Sequence, residues 1–253
     1  MFDITDYPSA LFLASAPLLW GAAWLGTRLS RRFPLDDDMR QDFTTLQAAA
    51  LTFLALIIGF SFSMAAGRFD QRKNLEEAEA NAIGTEYTRA TLLPAADAAR
   101  LRTLLRSYLD HRIRYYTAYR EVSGSINRQT ATLQDELWSA ILGPAAANPT
   151  PIVALVVSGM NDVLNAQSYT QAAWWNRIPG SAWALMVVIA FFCNMLVGYG
   201  ARSSATAKRL LFIFPLFIAI GFGFIADIDA PRHGIIRIGP QNLTSLAGSL
   251  PPP

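Results

Sequence analysis

Four stretches of this chain, at about residues 9–27, 43–67, 181–200 and 210–226, are long, apolar and nearly free of charge. About 20 consecutive apolar residues are needed for a helix to cross a hydrocarbon core of about 30 Å. Three of the four meet that length, and the last, with Pro215 inside it, sits at the lower limit. In lipid every backbone amide must be satisfied internally, which only helices and closed barrels achieve. Nothing here alternates with the period of barrel strands, so the expectation is an all-α chain with four transmembrane helices. Composition agrees. Only 16% of the residues are charged, against about a quarter in a soluble domain, and most of the Lys and Arg lie between about residues 67 and 177.

The first run invites comparison with a cleaved signal peptide, because Ala14-Ser15-Ala16 has the small-residue spacing of a cleavage site. Asp3 and Asp6 stand where such a leader carries basic residues, and the apolar stretch continues to Trp24. A retained helix is therefore expected. Trp20, Trp24, Trp174, Trp175 and Trp183 all fall near span ends, as an interfacial aromatic belt would place them. Orientation is not fixed by charge. Arg28, Arg31, Arg32, Arg40, Arg202, Lys208 and Arg209 on one side face Arg68, Arg72, Lys73, Arg177, Arg232 and Arg237 on the other, seven against six.

Between the second and third runs the sequence turns polar without a break. Helix formers and charges over 68–93 predict that the second span continues out of the membrane until Pro94 stops it. Leu101, Leu104, Leu105, Tyr108, Leu109, Ile113 and Tyr116 follow the helical period within a helix over 95–122. A loop is expected over 123–127, a shorter helix over 129–142, and a second loop over 143–151, where three prolines cluster. Ile152, Val156, Met160, Val163 and Leu164 mark a last amphipathic helix ending near Pro179. The expected organisation is thus a membrane half over 1–67, a helical polar domain over 68–178, a second membrane half over 179–228 and a tail over 229–253.

The most informative pattern lies on the second span. Ala55, Gly59, Ser63 and Gly67 recur every four residues and make a smooth stripe, of the kind that lets membrane helices approach closely. About 100° round the helix, Thr52, Leu56, Phe60 and Met64 form a stripe of larger groups. Two packing faces inside a four-helix bundle account for the pattern. So does a small stripe set against a neighbouring copy with the larger one facing a shared axis, since rings of apolar side chains gate channels by dewetting. Spacing does not choose between them.

Several functions are excluded by what the chain lacks. Cys193 is the only cysteine, and His111 and His233 the only histidines, so no intrachain disulfide, no cysteine metal site and no His-rich site can form. No metal ligand set, cofactor motif or catalytic constellation is present, and no enzyme is expected. Glu76, Glu77, Glu79 and Glu86 are expected on a solvated helix face, partly paired with Arg72 and Lys73. His111 is read as a surface or packing residue. His233 lies near Asp227 and Asp229 in what is expected to be an interfacial turn. A net charge of +2, with Arg interleaved among Glu and Asp, gives no argument for nucleic acid.

Certain residues carry a family likeness. Leu56-Ile57-Ile58-Gly59-Phe60, with Arg68 eight residues beyond the Phe and then Gln71 and Asn74-Leu75, resembles the second-span motif of bestrophins. Met160-Asn161-Asp162-Val163-Leu164, followed by Trp174-Trp175-Asn176-Arg177-Ile178-Pro179, resembles the bestrophin helix that leads through an Ile-Pro step into the third span, and Leu196-Val197-Gly198 is similar too. Glu79-Ala80-Asn81-Ala82-Ile83-Gly84 and Asp227-Ile228-Asp229-Ala230-Pro231-Arg232 look most like the bacterial bestrophin-like family. The resemblance covers about residues 43–243.

It implies a homo-oligomeric ion channel, a pentamer, in the bacterial inner (plasma) membrane, surrounded by lipid, passing monovalent ions and keeping its helical domain in the cytoplasm. Its apolar neck would fall on Thr52, Leu56 and Phe60. Thr52 replaces the expected bulky apolar residue, so that ring is expected to be wetter or wider. Arg68 stands where the neck would widen, either as an arginine snorkelling to headgroups or as a charge filter that attracts anions. Asp227 and Asp229 are fewer than the acidic cluster of calcium-controlled bestrophins, so calcium control is not expected. The alternative is a non-conducting membrane scaffold or sensor of the same fold, whose helical domain binds a partner.

Overall fold

The computed structural model describes residues 7–118, 123–201, 205–232 and 234–251. Asp3, Asp6, Arg202 and His233, on which parts of the sequence reading rest, lie outside them. Eight α-helices follow one another, with no strand among the described residues, and four are long and apolar enough to cross a membrane. The chain separates into two units. One comprises the residues up to Arg68 together with Arg177–Arg237; the other comprises Phe69–Asn176 together with the chain from Ile238 onward. The tail expected over 229–253 is therefore divided between them at Arg237 and Ile238.

In the membrane unit, α1 (Pro8–Arg32) packs against α6 (Gly180–Gly200) and α7 (Ala205–Asp229). Pro8 opens α1, where its missing N–H costs nothing. Pro17 in α1 and Pro215 in α7 stay inside their helices. Leu11, Ser15, Ala16, Leu19, Ala22, Ala23 and Gly26 form the buried face of α1, and the small members of that stripe bring it hard against α6. A Cβ on Gly26 would strike the carbonyl of Met195, and one on Gly198 the carbonyl of Ala23. Two glycines, one from each helix, thus make a backbone-to-backbone crossing. Trp20 ties α1 to α7, stacking on Phe212 at 4.3 Å between centroids and donating its indole N–H to the Phe212 carbonyl at 3.0 Å.

Helix α2 (Asp37–Arg89) is 53 residues long and ends in a 3₁₀ turn (Ala90–Leu92) just before Pro94, as the uninterrupted run of helix formers predicts. In the membrane unit it turns Leu54, Ser61 and Ala65 inward. It touches α6 through Cys193, whose thiol donates to the Ala50 carbonyl at 3.3 Å, and α7 through Phe62 stacked on Phe224.

In the polar unit the second half of α2 joins α3 (Ala95–Thr117), α4 (Ser123–Ala147), α5 (Pro151–Trp175) and the short α8 (Gln241–Ser249). Their shared core holds Ile83, Leu105, Tyr108, Leu137, Met160 and Val163. Three expectations are corrected here. Residues 123–127 and 143–147 belong to α4, where Ile126 near its start is buried in that core and Ala145 near its end packs against it, outweighing the local preference of Gly143 and Pro144 for a turn. On α5 the inward stripe begins at Val153, while Ile152 is 55% exposed. Trp174 is no interfacial anchor but a core residue, packed on Tyr115 and Tyr116.

Candidate functional site

The residues singled out by spacing lie on the outer side of α2. At 100° per residue, the stripes of Thr52, Leu56 and Phe60 and of Ala55, Gly59, Ser63 and Gly67 fall on the half of the helix turned away from Leu54, Ser61 and Ala65. All seven are exposed in the single chain, Leu56 at 51% and Phe60 at 62%. Only 17% of the most apolar stretch of α2 is buried within the subunit, against 39% for α1 and 44% for α7. A Cβ placed on Gly59 or Gly67 would meet nothing within 4 Å. Nothing in the subunit itself therefore requires glycine at either position. The Thr52 hydroxyl donates to the Ala48 carbonyl at 2.9 Å, so its hydrogen is satisfied within the helix.

Arg68 sits where α2 leaves the apolar stretch, and it does not stand alone. Its guanidinium lies 3.8 Å from the carboxylate of Asp229 at the end of α7, which Arg177 approaches from its other oxygen at 3.6 Å. Asp229 is fully buried and also accepts the Ile178 N–H at 3.1 Å. One carboxylate thus holds two arginines and the entry into α6. Asp227 is occupied differently, accepting the N–H groups of Ile235 and Ile236 at 2.6 and 2.8 Å and fixing the turn after α7. A Cβ on Gly234 would lie 2.6 Å from the Asp227 carbonyl, which is why glycine follows that turn. Both aspartates are thus committed to protein groups.

Sequence reasoning missed a polar stripe inside the other unit. The acidic run on α2 was expected on a solvated face, yet Glu76, Glu79 and Glu86 are buried and only Glu77 is exposed. Arg72, Glu76, Glu79, Ile83 and Glu86 recur at three- and four-residue steps along the inward side of α2, and Ala90 continues the stripe into the 3₁₀ turn. That spacing was the available signal, but charged residues are ordinarily assigned outward. Other segments answer them. Arg72 donates to the carbonyls of Ala173 and Asn176 at 3.1 and 3.0 Å. Glu76 accepts from the Leu243 N–H at 3.0 Å and the Asn242 amide at 2.7 Å, which docks α8. Glu79 pairs with Arg112 and accepts from the hydroxyls of Tyr116 and Thr170, both at 3.3 Å. The Arg112 guanidinium lies over the Tyr115 ring at 4.3 Å. His111 is buried, its Nε2 within 3.0 Å of the Ile126 carbonyl and 3.1 Å of Thr130 Oγ1, so it is a packing residue.

The bestrophin-like domain model matches residues 13–243. No curated protein matches the chain. Crystal structures of a bacterial bestrophin homologue from Klebsiella pneumoniae share the fold. One, of a point variant, superposes with a TM-score of 0.64 at 13% identity over 94% of this chain and 99% of that one. Another, solved by zinc phasing, gives a TM-score of 0.59 at 16% identity over 95% and 98% of the two chains.

Proposed function

The chain belongs to the bestrophin-like family of membrane proteins, and from that premise we propose that it is a homo-oligomeric ion channel whose neck is lined by Thr52, Leu56 and Phe60 of α2. The observation that carries this is the bareness of α2. A helix with two glycines at which an added Cβ would meet nothing within 4 Å, beside a stripe of half-exposed Leu and Phe, offers a face that suits a packing partner outside the subunit. In the assembly the stripe of Ala55, Gly59, Ser63 and Gly67 lies against a neighbouring α2, and Leu56 and Phe60 project toward the common axis as rings that exclude water when narrow. The oligomer is a pentamer in the inner membrane, its helical domain faces the cytoplasm, and the permeant species are monovalent ions. Arg68, steadied by Asp229, forms a ring of positive charge where the neck ends.

Purified protein in planar bilayers tests this. Ion currents are expected, with open probability or conductance raised by Phe60→Ala and the reversal potential under a salt gradient shifted toward cations by Arg68→Gln. Bilayers that stay silent at every voltage and salt, from a preparation whose mass in detergent is five times the 27.8 kDa of one chain, would leave an oligomeric scaffold in place of a channel.

A further inference from the structure

Of the three buried carboxylates on the inward side of α2, Glu86 alone is unanswered. It is fully buried, and neither carboxyl oxygen has a hydrogen-bond partner. The carboxyl and the Arg89 guanidinium both lie on the backbone of α5 at Gly159, so close that a Cβ there would overlap each of them. Glycine at 159 is what admits the group to the joint between α2 and α5.

Two charged side chains act on it, Arg89 from its own helix and Asp162 from α5. The Arg89 guanidinium stands 4.0 Å from the Asp162 carboxylate and 3.5 Å from the Leu155 carbonyl, at the edge of interaction with both. The other elements at this level add no charge that faces Glu86. Helix α8, which meets α2 where Leu246 packs on Gly84, has no charged residue, nor has the 3₁₀ turn. Arg102 of α3 is engaged with the carbonyl and ring of Tyr87.

A buried carboxylate that accepts no hydrogen bond is disfavoured by more than the nearby Arg89 guanidinium restores, whereas the neutral acid tolerates the site. We propose that Glu86 is a proton-binding site that fastens α2 to α5: protonated, it packs as a neutral group on Gly159, and on releasing its proton to water it draws Arg89 away from Asp162 and loosens the joint. Burial pushes its pKa from 4.5 up to about 8, opposed by Arg89 and reinforced by Asp162. The folded protein therefore holds one proton more than the unfolded chain between those limits, and stability from this site falls as pH rises through that window. The inference does not depend on whether the chain conducts.

The test uses the full-length protein in detergent. The melting temperature is expected to fall as the pH rises from about 6.5 to about 8 and to level off above, and Glu86→Gln is expected to lose that slope. Infrared spectra of the wild type should show the carbonyl stretch of a protonated carboxylic acid at neutral pH, vanishing as the sample is titrated through about 8 and missing from Glu86→Gln. Asp162→Asn should move that midpoint down and Arg89→Met should move it up, because they remove opposite influences. A Glu86→Gln protein that keeps the full alkaline slope, or a wild type without the carbonyl band at neutral pH, overturns the proposal. If Glu86→Gln does not fold, the wild-type infrared titration and the Asp162→Asn midpoint decide the matter unaided.

Discussion

The buried pair of Glu79 and Arg112 shows how a single side chain can hold three helices. Glu79 sits on α2, Arg112 and Tyr116 on α3 and Thr170 on α5, all converging on one carboxylate. Burial alone would push the guanidinium's pKa down, but Glu79 more than restores it, so Arg112 stays charged. Removing one partner leaves the other charged and dry, which typically costs about 3–5 kcal/mol. Arg112→Met should therefore lower the denaturant midpoint far more than Lys73→Met on the exposed side. The double change of Glu79→Met with Arg112→Met should recover part of the loss. His111 predicts the acid limb. Its pKa is lowered by burial, opposed by the Ile126 carbonyl and reinforced by Arg112 and Arg114. The unfolded chain therefore takes up the proton first, so stability is intact above about pH 6.5 and declines as pH falls below it. A wild type and His111→Gln pair with the same acid slope in thermal unfolding would rule this out.

At the scale of elements, the contrast is between glycines pressed against a neighbouring helix of the subunit, such as Gly26 and Gly198, and those on the outer side of α2, Gly59 and Gly67, that meet none. Gly26 and Gly198 face backbone atoms of the opposing helix, which cannot give way as a flexible side chain can. Gly198→Val should therefore force α1 and α6 apart, at a cost of about 3 kcal/mol or more by the measure of overpacked cores, and yield protein that digests readily or does not purify. Helix α8 makes a different kind of contact. It buries Leu243 and supplies the amides that satisfy Glu76, while the carbonyls of Leu250 and Pro251 accept from Arg106. Ending the chain at Gly239 removes all of these at once and leaves Glu76 unsatisfied, so hydrogen exchange along α2 near residue 76 should quicken.

For the whole molecule the decisive surface is the outer side of α2. Gly59→Leu places a large side chain at a position where its Cβ would meet nothing of the subunit within 4 Å. The proposed assembly would be split by that change while the fold of each subunit is kept. The expected outcome is a helical, folded protein of reduced mass in detergent, and an unchanged oligomer would show that the small stripe is not the contact. The neighbouring Phe60→Ala should act the other way, sparing the mass and altering the current. The two variants separate assembly from permeation.

The hydrophobic runs, read against the thickness of a bilayer, determined the membrane class, the number of spans, and the uninterrupted passage of α2 from apolar to polar surroundings. These follow from solvent and period alone, which are local properties of a chain. The motifs around Gly59, Arg68 and Pro179 carried the family likeness, since short-range spacing is also local. What only the tertiary structure decided was the fate of the charged residues. Whether Glu76, Glu79 and Glu86 meet water, an arginine or nothing depends on which helix lies opposite, and Arg112, Leu243 and Gly159 come from far along the chain. A carboxylate's position on a helix can be counted from the sequence, but its charge state is set by what packs against it.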